Sequence, residues 1–272
     1  PEDREKFAEK YGLNDPTHIQ YFKWLSNIAK GDFGNSLKKR GVPVSELIMN
    51  RLPNTLLLMT VSGVLAAAIA IPLGVFSAMR PYSKLDYTVT VGSFLGVATP
   101  NFWLGLILIM FFSVKLGWFP TGGVATLNAP FSIWDRIHHL ILPAIVLATA
   151  DMAALTRYTR SSMLDVLQQD YMRTAMSKGF KEKKAVMKHG LRNGMIPIIT
   201  LFGLMLPSFI GGAVITEQIF AWPGIGSLFI ESAFQRDYPV IMALTVISAV
   251  LVVIGNLLAD ILYAIFDPRI EY

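Results

Sequence analysis

Long apolar segments dominate this chain and restrict it to one kind of fold. Five segments hold enough consecutive apolar residues to cross a hydrocarbon core of about 30 Å, and three of them carry no charged residue. Helices in the core of a soluble protein are usually shorter and interrupted by a polar face. The sequence therefore predicts an all-α, polytopic helical membrane protein with spans at Thr55–Met79, Thr88–Val114, Ile137–Thr156, Ile196–Thr216 and Val240–Phe266.

The distribution of lysine and arginine predicts the orientation of these spans. Segment 157–195 alone holds nine basic residues, and the loops on its side hold twelve basic residues against three in the loops opposite. Because basic loops remain in the cytoplasm, we expect residues 157–195 and the C-terminus to be cytoplasmic. Residues 1–54 then form an extracytoplasmic segment with a surface helix around Thr17–Ala29, and residues 55–272 form the membrane domain.

The extracytoplasmic segment needs a way across the membrane. Residues 1–54 contain neither a signal-peptide pattern nor a span of their own. We therefore expect a further helix before Pro1, which gives the intact protein six spans with both termini in the cytoplasm.

Composition and motifs exclude several classes of function. The chain has no cysteine, which excludes disulfides and thiolate metal sites. The net charge of +5 comes from segment 157–195, where nine basic residues face three acidic ones, so it indicates topology and not nucleic-acid binding. Adjacent His138 and His139 would point about 100° apart on a helix, and we predict no metal site. The sequence contains no G-x-S-x-G, H-E-x-x-H or phosphate-binding G-x-x-x-x-G-K-[ST] motif, so we predict no catalytic residues and no enzyme activity.

The basic segment 157–195 has an internal pattern of its own. Tyr171, Ala175 and Lys178 recur at helical spacing, and Gly179 can adopt the positive φ that ends a helix. A second amphipathic helix is predicted over Phe180–Asn193, with Phe180, Met187 and Leu191 on its apolar side. Composition alone leaves open an ordinary basic loop near anionic lipid.

The order of residues in this segment resembles a known family. The motif Asp170-Tyr171-x-Arg173-Thr174-Ala175-x-x-Lys178-Gly179, followed by His189-Gly190-Leu191-Arg192-Asn193, resembles the EAA loop of ABC-importer permeases. The likeness is to the peptide-importer group of OppB, DppB and AppB type, nearest to AppB-type oligopeptide permeases. It extends along the chain through Gly31-Asp32-Phe33-Gly34, Pro100-Asn101-Phe102-Trp103, Trp222-Pro223-Gly224-Ile225-Gly226 and Arg236-Asp237-Tyr238-Pro239. The chain departs from the pattern where Ala-Arg-Ala-Lys-Gly becomes Ala175-Met176-Ser177-Lys178-Gly179, and the family's first helix is absent.

The resemblance implies a type I ABC-importer transmembrane domain and its partners. These are a second, homologous permease, two ATPases that bind the ATP and Mg²⁺, an extracytoplasmic peptide-binding lipoprotein and the lipid membrane. The cargo would be oligopeptides or dipeptides, with nickel complexes or glutathione as alternatives. ATPase contact would fall to Asp170, Tyr171, Arg173, Thr174, Ala175, Lys178, Gly179 and Phe180.

Two further groups of residues are candidates for transport. A pathway for varied peptides should have a small, polar and weakly charged lining, which favours Thr99, Pro100, Asn101, Thr149 and Asp151. For Asp151 a buried structural hydrogen bond is the alternative. The outer loop is predicted to supply a gate or a contact with the binding protein through Glu217, Trp222, Pro223 and Gly224, whereas Glu217 could equally be a solvated charge at a helix end.

A transporter of another class remains an alternative at this stage. A proton-coupled secondary carrier could use Asp151, Glu217 and Asp260 as a relay. It would work without ATPases and would not need the helix–glycine–helix pattern of segment 157–195.

Overall fold

The computed structural model describes residues 14–39, 41–191, 193–195, 198–199, 201 and 213–266. The N-terminal segment, predicted to lie outside and here called the outer segment, contains α1 (Thr17–Ala29) and α2 (Val44–Met49). The membrane domain contains α3 (Leu52–Met79), α4 (Lys84–Ala98), α5 (Asn101–Leu108), which continues as a π-helical turn over Ile109–Lys115, and α6 (Ile133–Leu167). The remaining labelled helices are α7 (Asp170–Ser177), α8 (Glu182–Ala185), which continues as a π-helical turn over Val186–Gly190, α9 (Ile225–Gln235) and α10 (Tyr238–Phe266).

Serine side chains fix where two of the membrane helices begin. Ser83 accepts a hydrogen bond from the Asp86 N–H at the start of α4, and Ser132 accepts one from the Asp135 N–H at the start of α6. In each case a hydroxyl satisfies a first-turn N–H that has no partner inside the helix, and an aspartate lies near the positive end of the helix dipole.

Helices α3 and α6 form the centre of the membrane domain. They run parallel, because Leu58 packs against Leu140 near their N-terminal ends whereas Val75 packs against Met163 near their C-terminal ends. Close approach depends on Gly74, where an added Cβ would lie 2.5 Å from the Cβ of Thr159. Around this pair, apolar side chains point outward, as is expected of helices surrounded by lipid or other subunits: Val64, Val91, Leu95, Val250 and Val253.

The spans differ in one respect from the sequence prediction. Helices at Val44–Met79, Ile133–Leu167 and Tyr238–Leu258 are each long and apolar enough to cross a membrane. The predicted span Thr88–Val114 is not one straight helix, because the chain bends by 103° between Lys84–Ala98 and Asn101–Lys115. Thr99 is extended, with ψ 118°, since the ring of a following proline disfavours helical backbone. The predicted span Ile196–Thr216 lies mostly outside the described residues.

The outer segment is fastened to the membrane domain by Asp237. Helix α1 occupies the predicted range Thr17–Ala29 and buries none of its residues. Beyond it, the Asp237 carboxylate accepts hydrogen bonds from the Ser36 hydroxyl and from the Leu37 and Lys38 backbone N–H groups. Asp237 lies in the turn between α9 and α10, so one buried side chain holds residues 200 positions apart in sequence.

Candidate functional site: the coupling loop and the broken helix

The segment 157–195, here called the coupling loop, contains a short helix with a well-defined end. Helix α7 stops at Ser177, and Gly179 takes φ +85°. The Gly179 N–H donates to the Met176 carbonyl at 3.0 Å, and the Phe180 N–H donates to the Ala175 carbonyl at 3.3 Å. This paired pattern is the Schellman ending, and it reverses the chain in the way that the sequence predicts for Gly179.

Helix α7 has one face against the protein and one face free. Met172 and Ala175 are buried in a cluster with Val75, Met163 and Val186. Five predicted contact residues are exposed on the remaining surface: Asp170, Tyr171, Arg173, Thr174 and Lys178. The polar face of α7 is therefore available to a partner, and its apolar face packs the helix against the rest of the chain.

Ala175 and Phe180 need a different description from the other predicted contact residues. Ala175 packs against the chain's own core, so it supports the contact surface and is not itself available to a partner. Phe180 is half-buried, with the ammonium groups of Lys184 and Lys188 each 5.5 Å from its ring centroid and His189 at its edge. Cations over the ring hold Phe180 between the two helices.

The second helix of the coupling loop departs from the prediction. It begins at Glu182 and widens into a π-helical turn at Val186, instead of running regularly from Phe180 to Asn193. Phe180 and Leu191 pack beside the cluster as expected, but Met187 is 54% exposed. A π-helical turn adds a residue to the turn and rotates the side chains that follow, so a strict α-helical period assigned Met187 to the wrong face.

The break between α4 and α5 brings together candidate pathway residues. Thr99 and Pro100 form the break and Asn101 begins α5. Gly96 lies one turn before the break, where an added Cβ would be 3.7 Å from Thr149 Cγ2. Helix α6 therefore presents Thr149 beside the bend, with half-buried Asp151 two residues later. A role for these five residues in lining the path stays a prediction.

The outer loop candidates are more buried than their predicted roles require. Glu217 has 0% exposure; its carboxylate accepts a hydrogen bond from the Thr55 hydroxyl at 2.5 Å and one from the Ser227 N–H at 2.8 Å. Removal from water raises the pKa of Glu217, and these donors partly oppose the rise. The Gly224 Cα is so close that a side chain there would overlap the Glu217 carboxylate.

Trp222 and Pro223 belong to the same arrangement, which we call the outer latch (Asn54, Thr55, Glu217 and 222–227). Trp222 is buried and donates from Nε1 to the Asn54 carbonyl at 3.0 Å, while Asn54 donates to the Pro223 carbonyl at 2.8 Å. Glu217 is therefore not a solvated charge at a helix end, and that alternative is wrong. The Glu217 and Trp222 side chains are buried, and the role of this loop as a gate or as a contact with the binding protein stays a prediction.

Sequence reasoning missed a third polar site. Asp86 and Arg160 form an ion pair, with the carboxylate buried and the guanidinium side chain partly exposed, although 74 positions separate them. Asp86 lies just before the predicted span Thr88–Val114, where a charged residue is ordinary, so no pattern in the sequence singled it out. Nothing in the sequence indicates which cation it meets. Within the described residues, no group of three or more His, Cys, Asp or Glu side chains is placed to bind a metal ion.

The geometry defines a polytopic helical membrane protein with a helix–glycine–helix surface at one end and a broken second span. A family model for the inner membrane component of binding-protein-dependent transport systems matches residues 70–272. The chain belongs to this family. The coupling loop and the broken span both lie within the matched region.

Curated relatives cover nearly the whole chain. The oligopeptide transport system permease protein AppB of Bacillus subtilis is 73% identical over 99% of this chain and 85% of its own length. The di/tripeptide permease DppB of Pseudomonas aeruginosa is 39% identical over 100% of this chain and 86% of its own length. The glutathione permease GsiC of Salmonella paratyphi A is 40% identical over 97% and 83%.

Solved structures share the fold at low sequence identity. A chain of the inward-facing MetNI methionine ABC transporter aligns with TM-score 0.67 and 18% identity, over 81% of this chain and 96% of that one. A chain of an amino acid ABC transporter crystallised with histidines aligns with TM-score 0.57 and 17% identity, over 80% and 94%. These chains therefore support the arrangement of helices and carry no information on cargo.

Proposed function

We propose that this chain is a permease subunit of an ATP-driven importer that moves oligopeptides or dipeptides into the cell. The observation that carries the proposal is the coupling loop, because a helix with an exposed polar face and a glycine-defined end is fastened to two membrane helices. The 73% identity with an oligopeptide permease favours peptides over other cargo.

ATP is bound and hydrolysed in partner subunits on this proposal. The sequence lacks a phosphate-binding loop, so energy must reach this chain mechanically. Two ATPases, with ATP and Mg²⁺, close against each other and carry the exposed face of α7 with them. The helices packed above then change between inward-open and outward-open arrangements.

The remaining partners follow from the same assembly. A second, homologous permease completes the pathway, and an extracytoplasmic lipoprotein delivers the peptide. Residues 1–54 lie outside, and the coupling loop and C-terminus lie in the cytoplasm, which agrees with the excess of basic residues in 157–195.

Two alternatives are weaker for stated reasons. Glutathione or nickel-complex import shares the permease pattern, and the glutathione permease GsiC is 40% identical, well below the identity with AppB. A proton-coupled carrier would need its acids to form a relay. Glu217 instead bonds to Thr55 and Ser227 in the outer latch, which supports a structural role.

Cargo and energy source are tested together in proteoliposomes that contain the complete complex. Uptake of di-, tri- and hexapeptides is competed with glutathione and with chelated nickel, with and without ATP. We expect ATP-dependent peptide uptake that neither competitor reduces. Uptake driven by a proton gradient without the ATPases would refute the proposal, and competition by glutathione or chelated nickel would reassign the cargo.

Topology and ATPase contact are tested with introduced cysteines, since the chain has none of its own. Arg173→Cys on α7 should crosslink to an ATPase subunit and should resist a membrane-impermeant maleimide applied from outside. Leu127→Cys is the matched control, because Leu127 is 90% exposed in the predicted outer loop; it should react from outside and form no such crosslink. The reverse pattern of labelling would overturn the orientation.

A further inference from the structure

A bidentate ion pair joins the beginning of α4, at its predicted cytoplasmic end, to α6. Arg160 Nε donates to Asp86 Oδ1 at 2.6 Å, and Arg160 Nη2 donates to Asp86 Oδ2 at 2.8 Å. The Ser77 hydroxyl and the Tyr82 backbone N–H also donate to this carboxylate, which is 3% exposed. Two parallel charge-assisted bonds fix orientation as well as distance.

Stability alone is a poor explanation for this pair. Taking two charges out of water costs hydration free energy. Their mutual attraction often does little more than offset that cost, so buried pairs often add little net stability. What a guanidinium fork supplies is directional geometry. The role of the pair is therefore indicated by the two helices that it connects, α4 and α6.

On α6, Arg160 is connected to the coupling loop. It lies one turn before Met163, which is buried with Met172 and Ala175 of α7. Helix α6 is continuous through both positions. Close-packed side chains transmit displacement, so a movement of α7 reaches Arg160 through Met163.

On α4, Asp86 is connected to the break. It lies in the first turn, and a helical rise of 1.5 Å per residue places it about 20 Å from Thr99. Between these two positions, the Arg157 guanidinium carbon lies 5.4 Å from the centroid of the Phe94 ring, and Gly96 packs against Ala153. The ion pair adds directional bonds to these contacts at the first turn of α4.

We propose that the Asp86–Arg160 pair is the positioning contact that makes α4, and with it the bend at Thr99–Pro100, follow the movement of the coupling helix. The pair touches neither cargo nor nucleotide and acts through the helices that it joins. This inference rests on the proposed function, because it needs partner ATPases that move α7.

The test measures peptide imported per ATP hydrolysed by the complete complex in proteoliposomes. The probe is a pool of di- to hexa-alanine, quantified inside the vesicles by mass spectrometry. Arg160→Lys keeps the charge and loses the fork, and Asp86→Asn loses the charge. We expect both variants to hydrolyse ATP within about two-fold of wild type while peptide per ATP falls by about five-fold or more. Lys23→Gln, in the exposed pair with Asp15 at 2.6 Å, should leave the ratio unchanged.

A distance measurement separates coupling from simple destabilisation. Spin labels at Val91→Cys on α4 and at Met176→Cys on α7, which is exposed and outside the predicted ATPase contact, report whether these helices move together when ATP binds. The distance should stay constant in the wild-type background and should change in Arg160→Lys.

The outcomes distinguish the inference from the proposed function. Failure of the wild-type complex to import any peptide of the pool on ATP would refute the proposed function. Wild-type import combined with an unchanged peptide-per-ATP ratio in the variants overturns the inference alone. Parallel loss of hydrolysis and uptake, with a constant label distance in Arg160→Lys, also overturns it.

Discussion

Replacement of Gly179 by alanine tests the coupling loop at its most constrained position. Gly179 has φ +85°, and no heavy atom lies within 4 Å of the Cβ that alanine would add. Space is therefore not the obstacle, and the cost comes from left-handed backbone, about 1–2 kcal/mol for a residue with a side chain. The strained backbone weakens the two hydrogen bonds of the Schellman ending.

This free-energy cost can be measured by amide hydrogen exchange. A cost of about 1–2 kcal/mol raises the open population of the α7 ending about 5- to 30-fold. Amide exchange of Gly179 and Phe180 in the purified complex should accelerate by this factor, and ATPase activity stimulated by the binding protein should decrease. Gly179→Asn should show a smaller effect, because asparagine tolerates the left-handed region better.

A matched glycine provides the control. Gly92 on α4 also has open space where alanine would add its methyl group, but it has no positive φ, so Gly92→Ala should leave exchange at Gly179 unchanged. Equal exchange rates in Gly179→Ala and wild type would show that the left-handed turn does not hold α7, and the reasoning would fail.

Three further substitutions probe the helix packing, the outer latch and the Asp237 contact, each measured as a shift in thermal unfolding of the purified complex or as a change in proteolysis. Gly74→Ala places a Cβ 2.5 Å from Thr159 Cβ and should destabilise by about 1–3 kcal/mol; an unchanged midpoint would show that α3 and α6 separate easily. Glu217→Gln replaces one of two acceptor oxygens by a donor, so that either the Thr55 hydroxyl or the Ser227 N–H loses its acceptor, and should cost about 1–3 kcal/mol, whereas the half-exposed Glu231→Gln should cost nothing measurable. Because burial raises the pKa of Glu217 above its ordinary 4.5, folding binds its proton; the stability from that proton is complete below pH 4.5 and is lost as pH rises through the folded pKa, and Glu217→Gln should abolish this dependence. Asp237→Asn should speed proteolysis of the outer segment, since an amide replaces one acceptor oxygen, and protease resistance equal to wild type would contradict the role of Asp237 in holding that segment.

Local chemistry made parts of this structure predictable. The surface helix Thr17–Ala29 and the glycine-terminated helix before Gly179 appear where the sequence indicates, because both depend on neighbours within a few residues. Pro100 indicates that the helix can open near Thr99, but the 103° bend does not follow from the sequence, since apolar character alone does not distinguish a kinked span from a straight one. The phase of Met187 was missed because a π-helical turn leaves no hydrophobic signature.

Apolar length and glycine position act locally, and they are enough to make this chain a helical membrane protein with a short helix that ends at Gly179. The use of its buried acids depends instead on contacts between distant parts of the chain. Asp86 meets Arg160, Glu217 meets Thr55 and Asp237 meets Ser36, and each pair joins elements that the chain separates. A buried carboxylate must find donors wherever the fold supplies them, and their identity depends on how the helices pack.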